Sequence, residues 1–257
     1  YIDSEGKITQ IPMDGDKGLI LRSLIFTPEK NEWFFGNEAI HQYTENDGEG
    51  RFLRSIKKFL AEPAYLGTEI HNKKYKIEDT VAIILREMKL RGDKFLNRKV
   101  EKVVMGRPAK YSQNKDNDQL AEDRMLKACK LAGFKEVVFC PEPLAAGLDF
   151  DKKNQKEKIV LIADFGGGTS DFTLMKLHSG EYSQDDILGI SGLFKAGDAL
   201  DGEMMRKFVA KHFGSQYEFS LPMGNRTLSF PKNLLKKVCS PAHITHLRDR
   251  DVWEYLK

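Results

Sequence analysis

Two carboxylates bracket a run of three glycines and a threonine in "DFGGGTSD": Asp164, Gly166, Gly167, Gly168, Thr169 and Asp171 fall within eight residues. Apolar runs flank them, "VLIA" before and "FTLMKL" after. Glycine carries an entropic cost on folding, and without a Cβ it lets another group approach the backbone closely. Successive bare N–H groups at a turn form a concave donor array suited to phosphate oxygens, and Thr169 adds a hydroxyl. Asp164 does not favour a bare phosphate by charge. It suits a magnesium ion held between carboxylate and phosphate through water. A hairpin turn alone needs only one or two such residues, so the pattern is weighed as metal–phosphate chemistry against a plain turn. Asp171, on the return strand, is read first as a hydrogen-bonding partner within the hairpin.

The other candidates are weaker alone. Glu142, in "PEP", is an ordinary helix-start acid favoured by the helix dipole. Cys239, His243 and His246 in "CSPAHITH" have loosely zinc-like spacing, but no second ligand pair is near, so no metal is assigned to them. Neither GxxxxGK[ST] nor a GxGxxG that opens a helix after a strand occurs, which removes support from two nucleotide-binding classes.

The elements that must hold these residues read as α/β. "GLILRSLIFT" and "EWFFG" are rich in apolar and aromatic residues and predict early strands. "TENDGEG" reads as a loop and "RFLRSIKKFL" as a short helix stopped before Pro63. Residues 77–96 predict a helix, with Val81, Ile84, Leu85 and Met88 on its core face. A strand at 102–106, a helix at 118–132 capped by Gly133, a strand at 136–139 and a helix start at "EPLAAGLDF" follow. The glycine hairpin comes next, then a helix from Glu203 to about His212. Trp33, Phe34 and Phe35 are expected to pack a small lobe. The polar run at 151–158 is the best boundary.

Composition sets the class. The chain has 257 residues, 40% hydrophobic, with 41 basic and 38 acidic side chains and a formal net charge of +3. That balance argues neither for nucleic acid nor for an anionic membrane as a partner. The cysteines Cys129, Cys140 and Cys239 form no CxxC pair, no signal peptide is visible, and no apolar run has the length of a membrane span. A reducing cytoplasm is the expected compartment. The chain opens on Tyr1 without a methionine, as a fragment would.

Five stretches occur in order: "VVMGRPAKYS", "LKACKLAGFKEVVF", "PEPLAAGLDF", "VLIADFGGGTSDFTL" and "AGDALDGEMM". Together they resemble the ATPase domain of the 70-kDa heat-shock chaperone family, within the actin–hexokinase superfamily. The likeness is greatest to its divergent YegD-like branch, and it runs from about Tyr1 to about His212. The resemblance implies a ribonuclease-H-like, actin-type ATPase fold with two lobes around a nucleotide cleft, incomplete in this chain. Residues 1–155 would form the first lobe, with a small subdomain inserted at about 28–95. Residues 156–257 would form part of the second, the hairpin followed by the start of its small subdomain.

The resemblance also implies roles and ligands, ATP or ADP with Mg²⁺. Gly166, Gly167, Gly168 and Thr169 match the second phosphate loop, Asp164 the acid that orients the magnesium hydration shell, and Glu142 a glutamate near the metal and attacking water. Pro108 matches the proline of the interdomain crossover. Gly197 and Asp198, then Asp201 and Gly202, match an "AGD…LGG" turn, with Asp201 replacing a glycine. The family's catalytic lysine falls near "FLRSIKKFL": Arg54 is the best match and Lys57 the alternative. A first phosphate loop is expected before Tyr1 and an adenosine motif after Lys257, so the chain alone is expected to be inactive. The implied function is a chaperone-like nucleotide switch that hydrolyses ATP, with unfolded clients or co-chaperones as partners. A small-molecule kinase of the same superfamily and a catalytically weak interaction module are the alternatives.

Overall fold

A computed structural model describes residues 1–15, 18–151, 157–179, 182–193, 195–220 and 227–240. The chain divides into two compact units, Tyr1–Ile162 with Thr173–Ile190, and Ala163–Phe172 with Ser191–Lys257.

The first unit opens with strands β1 (Leu24–Thr27) and β2 (Phe34–Phe35), helix α1 (Gly36–Glu45) and strand β3 (Arg51–Arg54). β1 is central in the order β2–β1–β3, antiparallel to both. Ile25, Phe35 and Leu53 are buried between these strands and Trp33, while Phe26, Phe34, Phe52 and Tyr43 of α1 form an aromatic cluster. The helix expected over "RFLRSIKKFL" is therefore corrected. Arg51–Arg54 pairs with β1, Ile25 opposite Leu53 and Phe26 opposite Phe52. Aromatic and aliphatic cross-strand pairs outweigh the helical spacing of the apolar residues. Ser55, at φ 52°, then turns the chain into a single 3₁₀ turn, Ile56–Phe59. The first expected strand is shortened to its last four residues. α1, which sequence reading did not anticipate, replaces the start of the expected loop.

The hairpin β4 (Gly67–Ile70) and β5 (Lys73–Lys76) leads into α2 (Ile77–Leu96), over the bounds expected from its periodicity. Next come β6 (Lys102–Arg107), α3 (Lys115–Ala132), β7 (Glu136–Pro141) and α4 (Glu142–Asp151). β6 and β7 are parallel, Val103 opposite Val137 and Met105 opposite Phe139, with α3 as the crossover. α3 begins three residues earlier than expected because Asn114 caps it, accepting from the Asn117 N–H at 3.1 Å. Gly133, at φ 102°, ends it as predicted. Leu60, Ile77, Val81, Leu85, Met125, Ala128 and Cys129 fill the core between α2 and α3, against Met105 and Phe139 of the strands.

Strands β8 (Lys158–Phe165), β9 (Ser170–Leu177) and β10 (Ile187–Leu193) form a sheet in the order β10–β9–β8. In the second unit, α5 (Gly197–Met204) continues through a π turn, Met205–Val209, and a 3₁₀ turn, Ala210–Phe213. The helix expected from Glu203 thus starts earlier and changes pitch. Strands β11 (Glu218–Ser220) and β12 (Thr227–Ser229) and helix α6 (Lys232–Val238) follow, with Leu234 and Val238 packed on Met205 and Phe230. Cys239 is buried at the end of α6, and His243 and His246 lie outside the described residues.

Candidate functional site

In the second unit the glycine run is the turn between β8 and β9. The Gly166 N–H donates to the Thr169 carbonyl at 2.9 Å and closes the hairpin. Two further backbone bonds brace it: Gly197 N–H to Gly166 O at 3.1 Å and Asp198 N–H to Gly167 O at 2.7 Å. Among the described residues, the N–H groups of Gly167, Gly168 and Thr169 have no acceptor. Gly166, Gly167 and Gly168 are exposed, and so is the Asp164 carboxylate one residue from the end of β8. The Thr169 hydroxyl donates to Asp171 Oδ2 at 3.0 Å, and Asp171 lies against Gly192, so the second aspartate works inside the hairpin.

The three glycines are not all demanded by the fold. None has positive φ. A Cβ on Gly168 would meet nothing within 4 Å, and one on Gly167 would meet only Asp198 Oδ1, at 3.8 Å. Gly166 is tighter, at 3.3 Å from the Thr169 carbonyl. Gly202 differs: a Cβ there would stand 2.6 Å from the Cys239 carbonyl, so α5 needs a glycine to pack against the end of α6. Asp201 occupies the same helix, one residue before it.

In the first unit Glu142 opens α4, and Lys57 projects from the 3₁₀ turn. The Lys57 Nζ donates to Glu142 Oε1 at 2.7 Å, with both side chains partly exposed. Gly106 on β6 leaves the room that Glu142 uses, since a Cβ there would stand 3.3 Å from its Cγ. Arg54 lies on β3, opposite Leu24. The structure thus brings Lys57 to Glu142.

Around this pair is a network that the sequence reading did not single out. Arg107, at the end of β6, donates to Asp118 Oδ2 at 3.2 Å and to Glu122 Oε2, both on α3, and lies over the Tyr111 ring at 5.4 Å. Asp118 Oδ1 accepts from the Tyr111 N–H at 2.6 Å. The segment that holds Pro108 is thereby fastened to α3. Among the described residues, the Tyr111 hydroxyl is buried without a partner. Burial raises its pKa well beyond the usual phenol value; the Arg107 cation opposes that, and the charges of Glu142 and Glu122 add to it. The legible signals were the "GRP" tripeptide at 106–108 and the i, i+4 acids Asp118 and Glu122.

Among the described residues, no group of three or more His, Cys, Asp or Glu side chains could cage a metal, and no helix is long and apolar enough to cross a membrane. All three cysteines are free thiols. Burial pushes the Cys129 thiol up to about 11.

Residues 37–238 match the family model described as Hsp70 protein. The chain is 31% identical over 184 residues to the chaperone protein DnaK of Mycoplasmopsis synoviae (strain 53), covering 71% of this chain and 29% of that protein. It is 32% identical over 194 residues to DnaK of Metamycoplasma hominis, covering 74% and 30%. For DnaK of Nitrosopumilus maritimus (strain SCM1) the figures are 27% over 212 residues, 81% and 31%. The chain therefore spans about thirty per cent of the length of these curated relatives.

Proposed function

The chain belongs to the Hsp70 family, and from that premise we propose that it is part of a chaperone-like nucleotide switch that binds magnesium–ATP and hydrolyses it. Its α/β architecture is that of the family's ribonuclease-H-like, actin-type ATPase fold. The observation that carries the proposal is the glycine turn. Its Gly167, Gly168 and Thr169 N–H groups have no acceptor among the described residues, and at Gly168 the fold does not require a bare backbone. An approaching anion accounts for both.

The residues fit the group. The N–H groups of Gly167, Gly168 and Thr169 would hold the β- and γ-phosphate oxygens, and the backbone of Gly197 and Asp198 keeps the turn in shape. Asp164 would hold the magnesium hydration shell, in keeping with an ion that is bound by few carboxylates and keeps its waters. When bound, magnesium–ATP supplies the electrophilic phosphorus and a cation that offsets the oxygen charge. Glu142 would accept a hydrogen bond from the attacking water and orient it, and Lys57, which donates to its Oε1 at 2.7 Å, would fix that carboxylate and add positive charge. We assign the role of the family's lysine to Lys57 rather than Arg54 on this contact. A cationic partner at Glu142 also weighs against a catalytically weak interaction module.

The relatives are described as chaperones, and we extend that to clients or co-chaperones for the full-length protein, in the cytoplasm. The test is magnesium–ATP binding and turnover by the full-length protein. Wild type should bind and hydrolyse, Asp164→Ala should weaken binding, and Glu142→Ala and Lys57→Ala should lower turnover with binding retained. A wild-type protein that neither binds nor hydrolyses ATP refutes the reading. ATP consumed in step with a phosphorylated small acceptor would assign a kinase instead.

A further inference from the structure

Arg124, on α3, is the donor for four carbonyls of one short stretch. Its Nη1 lies 2.9 Å from Leu60 O, 2.9 Å from Glu62 O and 3.4 Å from Phe59 O, and its Nη2 lies 3.2 Å from Tyr65 O. Phe59 ends the 3₁₀ turn that carries Lys57, Leu60 caps it with its N–H on the Lys57 carbonyl, and Glu62 and Tyr65 lie in the stretch that follows. That turn is a single short one, entered through Ser55 at φ 52° without a side-chain cap. Phe59 O also accepts from the Glu62 N–H at 3.2 Å and Glu62 O from the Tyr65 N–H at 3.1 Å, so Arg124 adds a second, tertiary donor to a run of local turns and ties that run to α3. A guanidinium suits the task, because its planar fork presents five N–H groups in fixed directions, whereas an ammonium is a compact point charge. The rest of the stretch is anchored by the fully buried Leu60 and by Phe59 stacked on Tyr65, ring centroids 4.4 Å apart.

Among the described residues the Lys57 side chain is held at its tip, by Glu142, and it is 48% exposed. A long flexible stem reaches one place reproducibly only if its backbone is fixed.

We propose that Arg124 is a positioning residue: by gathering the 59–65 carbonyls onto α3 it fixes the turn from which Lys57 reaches Glu142. The consequence for turnover rests on the role given to Lys57 above, whereas the positioning itself does not. Two measurements on the full-length protein separate them. In the first, the Lys57 side-chain amine is followed by NMR with labelled lysine, and Glu142→Gln marks where its signal lies once the pair is lost. Arg124→Gln should move the signal to that position and leave the distant Lys102–Glu136 amine unmoved. A Lys57 signal that stays at its wild-type position in folded Arg124→Gln overturns the proposal.

In the second, Arg124→Gln should lower kcat for ATP about ten- to hundredfold with KM nearly constant. It should have no further effect in a Lys57→Ala background, as residues acting through one another are non-additive. A full multiplicative loss in that background overturns the consequence for turnover, and the NMR measurement decides the positioning. If wild type does not hydrolyse ATP, the proposed function fails and the NMR measurement decides the positioning alone. Should Arg124→Gln not fold, Arg124→Lys, which keeps charge and stem but loses the fork, carries both measurements with the same expected direction.

Discussion

Replacing Gly168 by alanine separates what the fold needs from what a ligand needs. The added Cβ meets no protein atom within 4 Å and the residue has no positive φ. The substitution removes unfolded-state freedom at no steric cost, so the protein should gain about 0.4–1 kcal/mol of stability. The same Cβ occupies space beside N–H groups that have no acceptor in the described chain. Losing one hydrogen bond to a charged phosphate oxygen costs about 1.5–3 kcal/mol. At about 1.4 kcal/mol per tenfold, Kd for magnesium–ATP should rise roughly ten- to hundredfold. Urea unfolding without nucleotide and calorimetric titration of magnesium–ATP, both on the full-length protein, give the two numbers. Gly67→Ala is the contrast, because there φ is +156° and the new Cβ would stand 1.9 Å from the Tyr75 carbonyl. That variant should lose more than about 2 kcal/mol of stability. A Gly168→Ala protein that is destabilised, or that binds nucleotide as tightly as wild type, refutes the reasoning that the bare backbone serves an approaching anion.

Other outcomes follow from the same contacts. Lys57→Ala should lower turnover much more than Arg54→Ala, measured as kcat in steady state; the reverse order would return the lysine's role to Arg54. Arg107→Ala leaves Asp118 and Glu122 without their shared cation and should destabilise by about 2–4 kcal/mol in urea unfolding. Retention of wild-type stability would show that the network is not holding the 108–112 segment. His178 Nε2–H donates to Asp186 Oδ1 at 2.8 Å, and that bond, helped by the Ser179 carbonyl, raises its pKa above the ordinary 6.5. With the folded value raised, the stability it contributes is complete below about 6.5 and is lost as pH rises through the folded pKa. An NMR titration of the His178 imidazole should give a midpoint above 6.5, falling in Asp186→Asn.

Local patterns carried much of the fold. The Val81, Ile84, Leu85, Met88 stripe gave α2 its bounds because that face packs on α3 and on the first sheet. Gly133 was a readable helix end for its positive φ, and the bare glycines marked the β8–β9 turn. What failed was non-local. α1 starts where Asp14, far back in the chain, accepts from the Asn37 N–H at 3.1 Å, and no window around residue 37 contains that aspartate. "RFLRSIKKFL" has helical apolar spacing, but its first four residues are claimed by β1.

That error also blurred the candidate site. On a helix, Arg54 and Lys57 would be neighbours on one face, three residues apart. With Arg54 in a strand, Ser55 turning the chain and Lys57 on a 3₁₀ turn, the two are parted, and Glu142 contacts Lys57. Arg107 and Arg124 were unreadable for a similar reason. An arginine that serves backbone carbonyls or the acids of a distant helix looks in sequence like any surface cation.

The strap that ties the glycine turn to the start of α5 includes two main-chain bonds, Gly197 N–H to Gly166 O and Asp198 N–H to Gly167 O, beside the Ser170 hydroxyl that donates to the Lys195 carbonyl at 2.7 Å. The two main-chain bonds do not register side-chain identity: short of a proline at 197 or 198, which would remove a donor, substitution elsewhere in "AGDALDG" leaves both donors in place. Asp201 is exposed, so its carboxylate belongs to the surface of α5 and not to the scaffold of the turn. Those two bonds are made by atoms that every residue but proline carries, so the shape of the turn tolerates ordinary point substitution at the start of α5.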